Sequence, residues 1–189
     1  MPTPEPPGDP ERPALLIRRA DPDDSAAINR VKVETWRSAY RGLLPDALLD
    51  GLDPEDPAAF RRRGLETLSP ERVAFVADRA GSVVGFVTGG RERSGQHPGY
   101  RGEIYAIYVV ASLQRQGIGR ALIRAAVRAL VQRGLATILI WTLYDNPRSR
   151  AWYESQGGVV VGEKHGLFEG YELHEVGYGW TDPAPLLRP

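Results

Sequence analysis

The stretch Gln114-Arg115-Gln116-Gly117-Ile118-Gly119 joins two runs of different periodicity, and this join constrains the fold more than any other feature of the chain. Upstream, Glu103–Val110 is a β-branched and aromatic run that reads as a strand. Downstream, Ile118, Leu122, Ala125 and Ala129 recur at helical spacing, with Arg120, Arg124 and Arg128 opposite them. The two glycines place bare backbone amides at a helix N-terminus, where unpaired N–H groups and the helix dipole attract anions. A P-loop would need Lys-Ser/Thr after its second glycine, and Arg120-Ala121 stands there instead. A dinucleotide fingerprint would need a third small residue where Leu122 lies. Two readings stay open on these residues alone: a phosphate cradle, or a tight turn from strand to helix.

The chain has 189 residues, enough for a single domain with a sizeable core. Its 24 basic and 24 acidic side chains balance and are interspersed, so nucleic acid is not an expected partner. Cysteine is absent, which excludes disulfides, thiolate metal sites and a covalent cysteine intermediate. The three histidines, His97, His165 and His174, lack ligand-like spacing, and no metal is expected. No apolar run approaches the roughly 18 residues of a membrane span, and the N-terminus lacks a signal-peptide core. The expected location is cytoplasmic, with no membrane partner.

Met1–Pro13 carries six prolines and little to bury, and reads as a flexible tail. Leu15-Leu16-Ile17 opens the fold as a strand. Asp21–Asp24 supplies caps for a helix through Ile28, Val31, Val33 and Trp36. Pro45 and Pro54 each restart the chain, predicting short helices over Asp46–Leu52 and Glu55–Leu68. Val73–Ala77 and Val83–Val87 flank Arg79-Ala-Gly-Ser82 as a hairpin, and a polar loop follows over Gly89–Gly102. After the central strand and helix, which Gly134 ends, come a continuous apolar strand (Thr137–Leu143), a helix (Pro147–Gln156) and two strands (Val159–Glu163, Tyr171–Trp180). The order implies α/β layers on a mixed sheet within one domain over 14–182, followed by a tail over 183–189.

Strand, Gln-x-x-Gly-x-Gly, then helix resembles the acetyl-CoA-binding motif of the GCN5-related N-acetyltransferase (GNAT) superfamily. A second block, Asp145-Asn-Pro-Arg-Ser-Arg-Ala-Trp-Tyr-Glu-Ser-Gln-Gly157, resembles the family's later motif, an Asn before a short helix carrying a Tyr seven positions on. The two blocks and the elements between them span Glu103–Gly158, under a third of the chain. The resemblance implies a GNAT-like α/β fold, a mixed twisted central sheet of about seven strands with helices on both faces. It implies a metal-free enzyme that moves an acetyl group from acetyl-CoA directly to a primary amine of a small molecule or peptide. The pyrophosphate would rest on the backbone of Gln114, Arg115, Gln116, Gly117, Ile118, Gly119 and Arg120. Ile107, Tyr108 and Val109 correspond to the strand that pairs with the pantetheine through backbone. Asn146, a natural cap before Pro147, is a cofactor contact in the family. Tyr153 aligns with the family tyrosine that protonates, or hydrogen-bonds, the departing sulfur.

Glu103 opens the central strand, and regular alternation would put 103, 105, 107 and 109 on one face, where Glu103 is a candidate base. Tyr105 on that face is a candidate for the acceptor pocket. Trp36, Tyr40 and Arg41 lie where the family builds its acceptor wall. Trp36 reads as core, while Tyr40 and Arg41 read as lid residues. Three positions depart from the family pattern: Ala111 for Pro, Leu113 for an aromatic, and Gly158 for the aromatic after the final glycine. The third predicts looser packing beneath the Tyr153 helix. A catalytically silent acyl-CoA-binding or regulatory module on the same fold is the alternative reading. The amine acceptor is left open by the neutral charge, and the family's frequent dimers admit a homodimer.

Overall fold

The computed structural model describes residues 14–56 and 72–188. The proline-rich segment 1–13 and nearly all of the helix expected over Glu55–Leu68 lie outside the described residues. Strands β1 (Leu15–Arg19), β2 (Val73–Arg79), β3 (Ser82–Arg91), β4 (Gly102–Val109), β5 (Ile138–Leu143), β6 (Val159–Phe168) and β7 (Tyr171–Trp180) form one sheet in the order β1-β2-β3-β4-β5-β7-β6. Neighbours are antiparallel except β4 and β5. The helices are α1 (Ser25–Ala39), α2 (Asp46–Asp50), α3 (Ile118–Val131), α4 (Pro147–Ser155) and α5 (Ala184–Leu187).

Local chemistry accounts for most of these elements. Ala80 and Gly81 both take positive φ (52° and 79°), the left-handed pair that a two-residue hairpin turn between β2 and β3 favours. Asp21 closes a capping box ahead of α1: its carboxylate accepts from the Asp23 amide at 2.8 Å, and its own amide donates to Asp24 at 2.9 Å. Helix α3 buries Ile118, Leu122, Ile123, Ala126, Val127 and Leu130 against Val73, Ala77, Val87, Ile104 and Val109 of the sheet. Its buried face is rotated slightly from the expected stripe, and Ala125 is only half-buried. On the other face, Ile28 and Val31 of α1 pack on Ala74, Val76 and Phe86. Helices therefore cover both faces, as the sequence leads one to expect.

Two corrections to the expected pattern bear on the site. Thr88 pairs with Ala106 but Gly89 pairs with Ile104, so Tyr105 is an extra residue, a β-bulge in β4. The bulge breaks the alternation: Ile104, Ile107 and Val109 join the α3 core, while Ala106 and Tyr108 join the α1 side. The single face proposed for 103, 105, 107 and 109 does not exist. The second correction concerns the C-terminus. Residues 184–187 form α5, whose Leu186 is 1 % exposed within the α3 core, so the packed structure continues past 182.

Candidate active site

Although β4 runs to Val109 and β5 to Leu143, the two pair only at Gly102–Ile138, Glu103–Leu139 and Ile104–Ile140. Beyond Ile104 they part, and the β4 backbone from the bulge onward has no strand partner on that side. A cavity of about 800 Å³ occupies the opening. One end is lined by Gln114, Arg115, Gly117, Gly119 and Arg120 of the loop–helix join, the middle by Ile107–Val109, Asn146 and Tyr153, and the far end by Tyr40, Tyr105 and Trp141. Of the sequence-selected residues, Gln116, Ile118, Arg41 and Glu103 do not line it.

At the loop end, Arg115 (φ 62°) and Gly117 (φ 80°) are both left-handed, a backbone hand that recurs in anion nests. Gly117 is the N-cap of α3 and supplies no side-chain acceptor, so the first-turn amides are uncapped. Gln114 ties the loop to the strand, its Nε2 donating to the Val109 carbonyl at 2.8 Å. Gln116 accepts from Arg79 at 3.4 Å outside the cavity, and Ile118 is core. A Cβ at Gly119 would meet only the Trp152 ring, at 3.8 Å. Nothing within the protein demands glycine there; the bare surface fits a group lying against the amides.

Asn146 caps α4, accepting from the Ser149 amide at 3.1 Å. That helix carries Tyr153, 6 % exposed and packed against Trp152 (5.2 Å), Tyr178 (5.6 Å) and Trp180 (6.3 Å). Its hydroxyl has no hydrogen-bond partner among the described residues, and burial, with the nearby Tyr108 adding to it, pushes the phenol well above its ordinary pKa. It stays protonated through the whole physiological range. Gly158 does not loosen this packing. A Cβ at 158 would sit 2.6 Å from the Trp180 ring, and the Trp180 indole donates to the Gln156 carbonyl at 2.9 Å. Trp180 of β7 fills the space left empty by the missing aromatic, and the expected looseness is absent.

At the far end, Trp36, Leu44, Leu48 and Leu49 of the α1–α2 segment form a cluster with Tyr40, Tyr108, Leu143, Phe168 and Tyr171, bridging the splay from helix to hairpin. Tyr40 and Tyr108 bring their hydroxyls to 3.5 Å, and burial raises both phenols. Thr35, which lines the cavity, leaves Oγ1 buried without a hydrogen-bond partner. Arg41 instead reaches outward to Asp46 (2.9 Å) and Asp50 (2.8 Å), securing α2. Glu103 is 2 % exposed and its carboxylate is held by Arg93, whose amide, Nε and Nη2 all donate to it.

The acetyltransferase (GNAT) family profile matches residues 33–158. The chain belongs to that family. As a GNAT enzyme it is an N-acetyltransferase, and it is similar along nearly its whole length to the uncharacterized N-acetyltransferase YuaI of Bacillus subtilis, with 37% identity over 91% of this chain and 96% of that one. Solved GNAT structures share the fold at lower identity. The PaiA N-acetyltransferase of Thermoplasma acidophilum, in complex with coenzyme A, superposes with a TM-score of 0.63 at 15% identity, over 86% of this chain and 98% of that one. The protein yncA of Salmonella typhimurium, with its cofactor acetyl-CoA, gives 0.61 at 22% identity, over 88% and 93%.

Several residues of this GNAT site escaped sequence reasoning. Trp152, beside Gly119, carries no motif of its own apart from its neighbour Tyr153. Arg93 lies in a polar loop, and only its contact with Glu103 marks it. Trp180 is one aromatic in an aromatic strand, and the Gly158 gap is the signal that points to it. Among the described residues no helix is long and apolar enough to cross a membrane, and no group of His, Asp and Glu is arranged to hold a metal.

Proposed function

We propose that this protein transfers the acetyl group of acetyl-CoA directly to a primary amine within a ternary complex. The observation that carries the reading is the β4–β5 splay, because it opens unpaired strand backbone, the uncapped α3 amides and the Tyr153 phenol into one cavity. In this reading the pyrophosphate rests on the amides of the 115–120 turn, with Arg115 and Arg120 at the same end, and Asn146 flanks the cofactor. The pantetheine lies along Ile107–Val109 as an added strand. A β4 amide past the bulge faces the thioester oxygen and stabilises the charge that develops there.

The amine nitrogen attacks the thioester carbon, the C–S bond breaks, the departing thiolate takes the Tyr153 proton, and the N–H proton shed as the amide forms returns to the tyrosinate. A phenol whose pKa is raised by burial is a reservoir that stays charged with its proton at neutral pH. An aliphatic amine begins as an ammonium, with a pKa near about 10. No carboxylate or histidine lines the cavity among the described residues, so its proton leaves through water. The balance is one amide, one free thiol and one proton released.

Titration calorimetry with acetyl-CoA, followed by thiol release across a panel of amines, tests the reading. Binding followed by acceptor-dependent thiol release is expected. No binding at millimolar acetyl-CoA sinks it, and binding without turnover of any amine leaves a silent acyl-CoA-binding module.

A further inference from the structure

Tyr105 stands at the β4 bulge, where the sheet opens, and its ring lines the acceptor end of the cavity. Two guanidinium groups lie over that ring, Arg93 at 4.1 Å and Arg72 at 5.7 Å. Arg93 is held from one side: Nε and Nη2 donate to Glu103, while Nη1 has no acceptor among the described residues and the side chain is 53% exposed. An arginine has five N–H donors in a planar fork, so a pair of parallel donors remains for an incoming oxygen pair. Among the described residues, Arg72 and Arg93 stand over the ring, and Glu103 is the carboxylate that Arg93 holds. Lys164, over the Trp141 ring, pairs with Glu175 at 3.3 Å. Neither arginine lines the cavity itself: an acceptor that reaches past the Tyr105 ring with an anionic group would meet the Arg93 fork, whereas a polyamine would meet like charge.

We propose that Arg93, assisted by Arg72, binds a carboxylate carried by the acceptor, so that the substrate is an amino acid or short peptide whose carboxylate lies close to the reacting amine. The inference rests on the acetyl-transfer reading of the same cavity. Glu103 then acts as a positioning residue: by holding Nε and Nη2 it fixes the Arg93 fork and leaves the end of the guanidinium to the acceptor's carboxylate.

The test compares thiol release from acetyl-CoA for matched acceptors that share an amine and differ beside it, as carboxylate, carboxamide, phosphonate or bare amine. For the parent, kcat/KM for the carboxylate should exceed that for the carboxamide by about tenfold or more. Arg93→Gln should bring that ratio close to one, mainly through KM, with the acetyl-CoA Kd from calorimetry unchanged. Because Arg93→Gln leaves Glu103 buried without its partner, the Arg93→Gln/Glu103→Gln double variant should show the same loss of preference. Arg72→Gln, which keeps the Arg93–Glu103 pair, should lower the ratio in the same direction. Equal rates for acid and amide, a preference for the phosphonate or the bare amine, or no turnover of any carboxylate-bearing amine overturns the proposal. In each of those cases retained acetyl-CoA binding leaves the transferase reading standing. A parent that binds no acetyl-CoA brings down that reading, and this one with it.

Discussion

Tyr153 owes its position to three aromatic neighbours rather than to any hydrogen bond of its own hydroxyl, which separates its chemistry from its packing. Tyr153→Phe should keep folding stability within about 0.5 kcal/mol, since the ring still fills its place and no partner is orphaned. Acetyl-CoA affinity should also hold, while kcat falls about 100-fold as the sulfur loses its proton donor. Steady-state kinetics beside calorimetry separates the two, and an unchanged kcat removes Tyr153 from the reaction. The sign of its pKa shift adds a second check: a phenol raised by burial stays protonated as pH climbs, so kcat should not decline through about pH 9 on its account. The same neighbourhood explains why residue 158 misleads a reader of the sequence. Local pattern says that a missing aromatic leaves a hole, but Trp180, 22 positions on, fills it from another strand. Gly158→Ala should therefore destabilise the fold by about 1–3 kcal/mol through overpacking, read as a lower midpoint of urea unfolding. A neutral substitution would mean that the indole gives way freely.

At the scale of elements, the loop–helix join was legible because every cue in it is local: glycines, a change of period, and an apolar stripe. Helix α3 and the β2–β3 turn follow from such cues, and Asn146-Pro147 announces the start of α4 in the same way. The splay and the bulge were not legible, since both are properties of pairing between strands. A period-2 pattern presumes an unbroken register, and one extra residue at Tyr105 reverses every face after it. Glu103 and Arg93 show the same limit, because residues ten apart meet only through a loop whose path no periodicity records. Gly119 offers a test at this scale. Alanine is the better helix former, by about 1 kcal/mol in an interior position, and the added Cβ meets only an ordinary contact with Trp152. A helical Cβ also tilts toward the N-terminus, into the face that would hold the pyrophosphate. Gly119→Ala should raise the thermal midpoint slightly and weaken acetyl-CoA binding about tenfold. A more stable protein with unchanged affinity would place the phosphates elsewhere.

Across the whole molecule, the two helix layers sit on a sheet whose β1 edge is fastened by charge as well as by its pairing with β2 and the packing of Leu15 and Ile17. Arg18 of β1 donates to both carboxylate oxygens of Asp24, at 2.7 and 2.8 Å, and also to Asp78 of β2 at 3.2 Å. One guanidinium thus joins the first strand, the entry to α1 and the hairpin, and α1 in turn carries the Trp36–Tyr40 wall of the cavity. Burial alone would raise the Asp24 carboxyl; the Arg18 bonds and the Asp21 amide outweigh it and hold the group below its ordinary value. A carboxyl that is more acidic folded than unfolded contributes stability that is fully present above its unfolded pKa, about 3.9. That contribution is lost as pH falls through the lower, folded value. Thermal unfolding midpoints should therefore hold from neutral pH down to about pH 5 and fall steeply below about pH 4. Asp24→Asn should lower the midpoint at neutral pH, where the ion pair is missing, and flatten the acid slope because the linked proton is gone. If parent and variant keep parallel acid slopes, Asp24 is not the group that couples protonation to the fold, and the β1 edge is held by something other than this guanidinium.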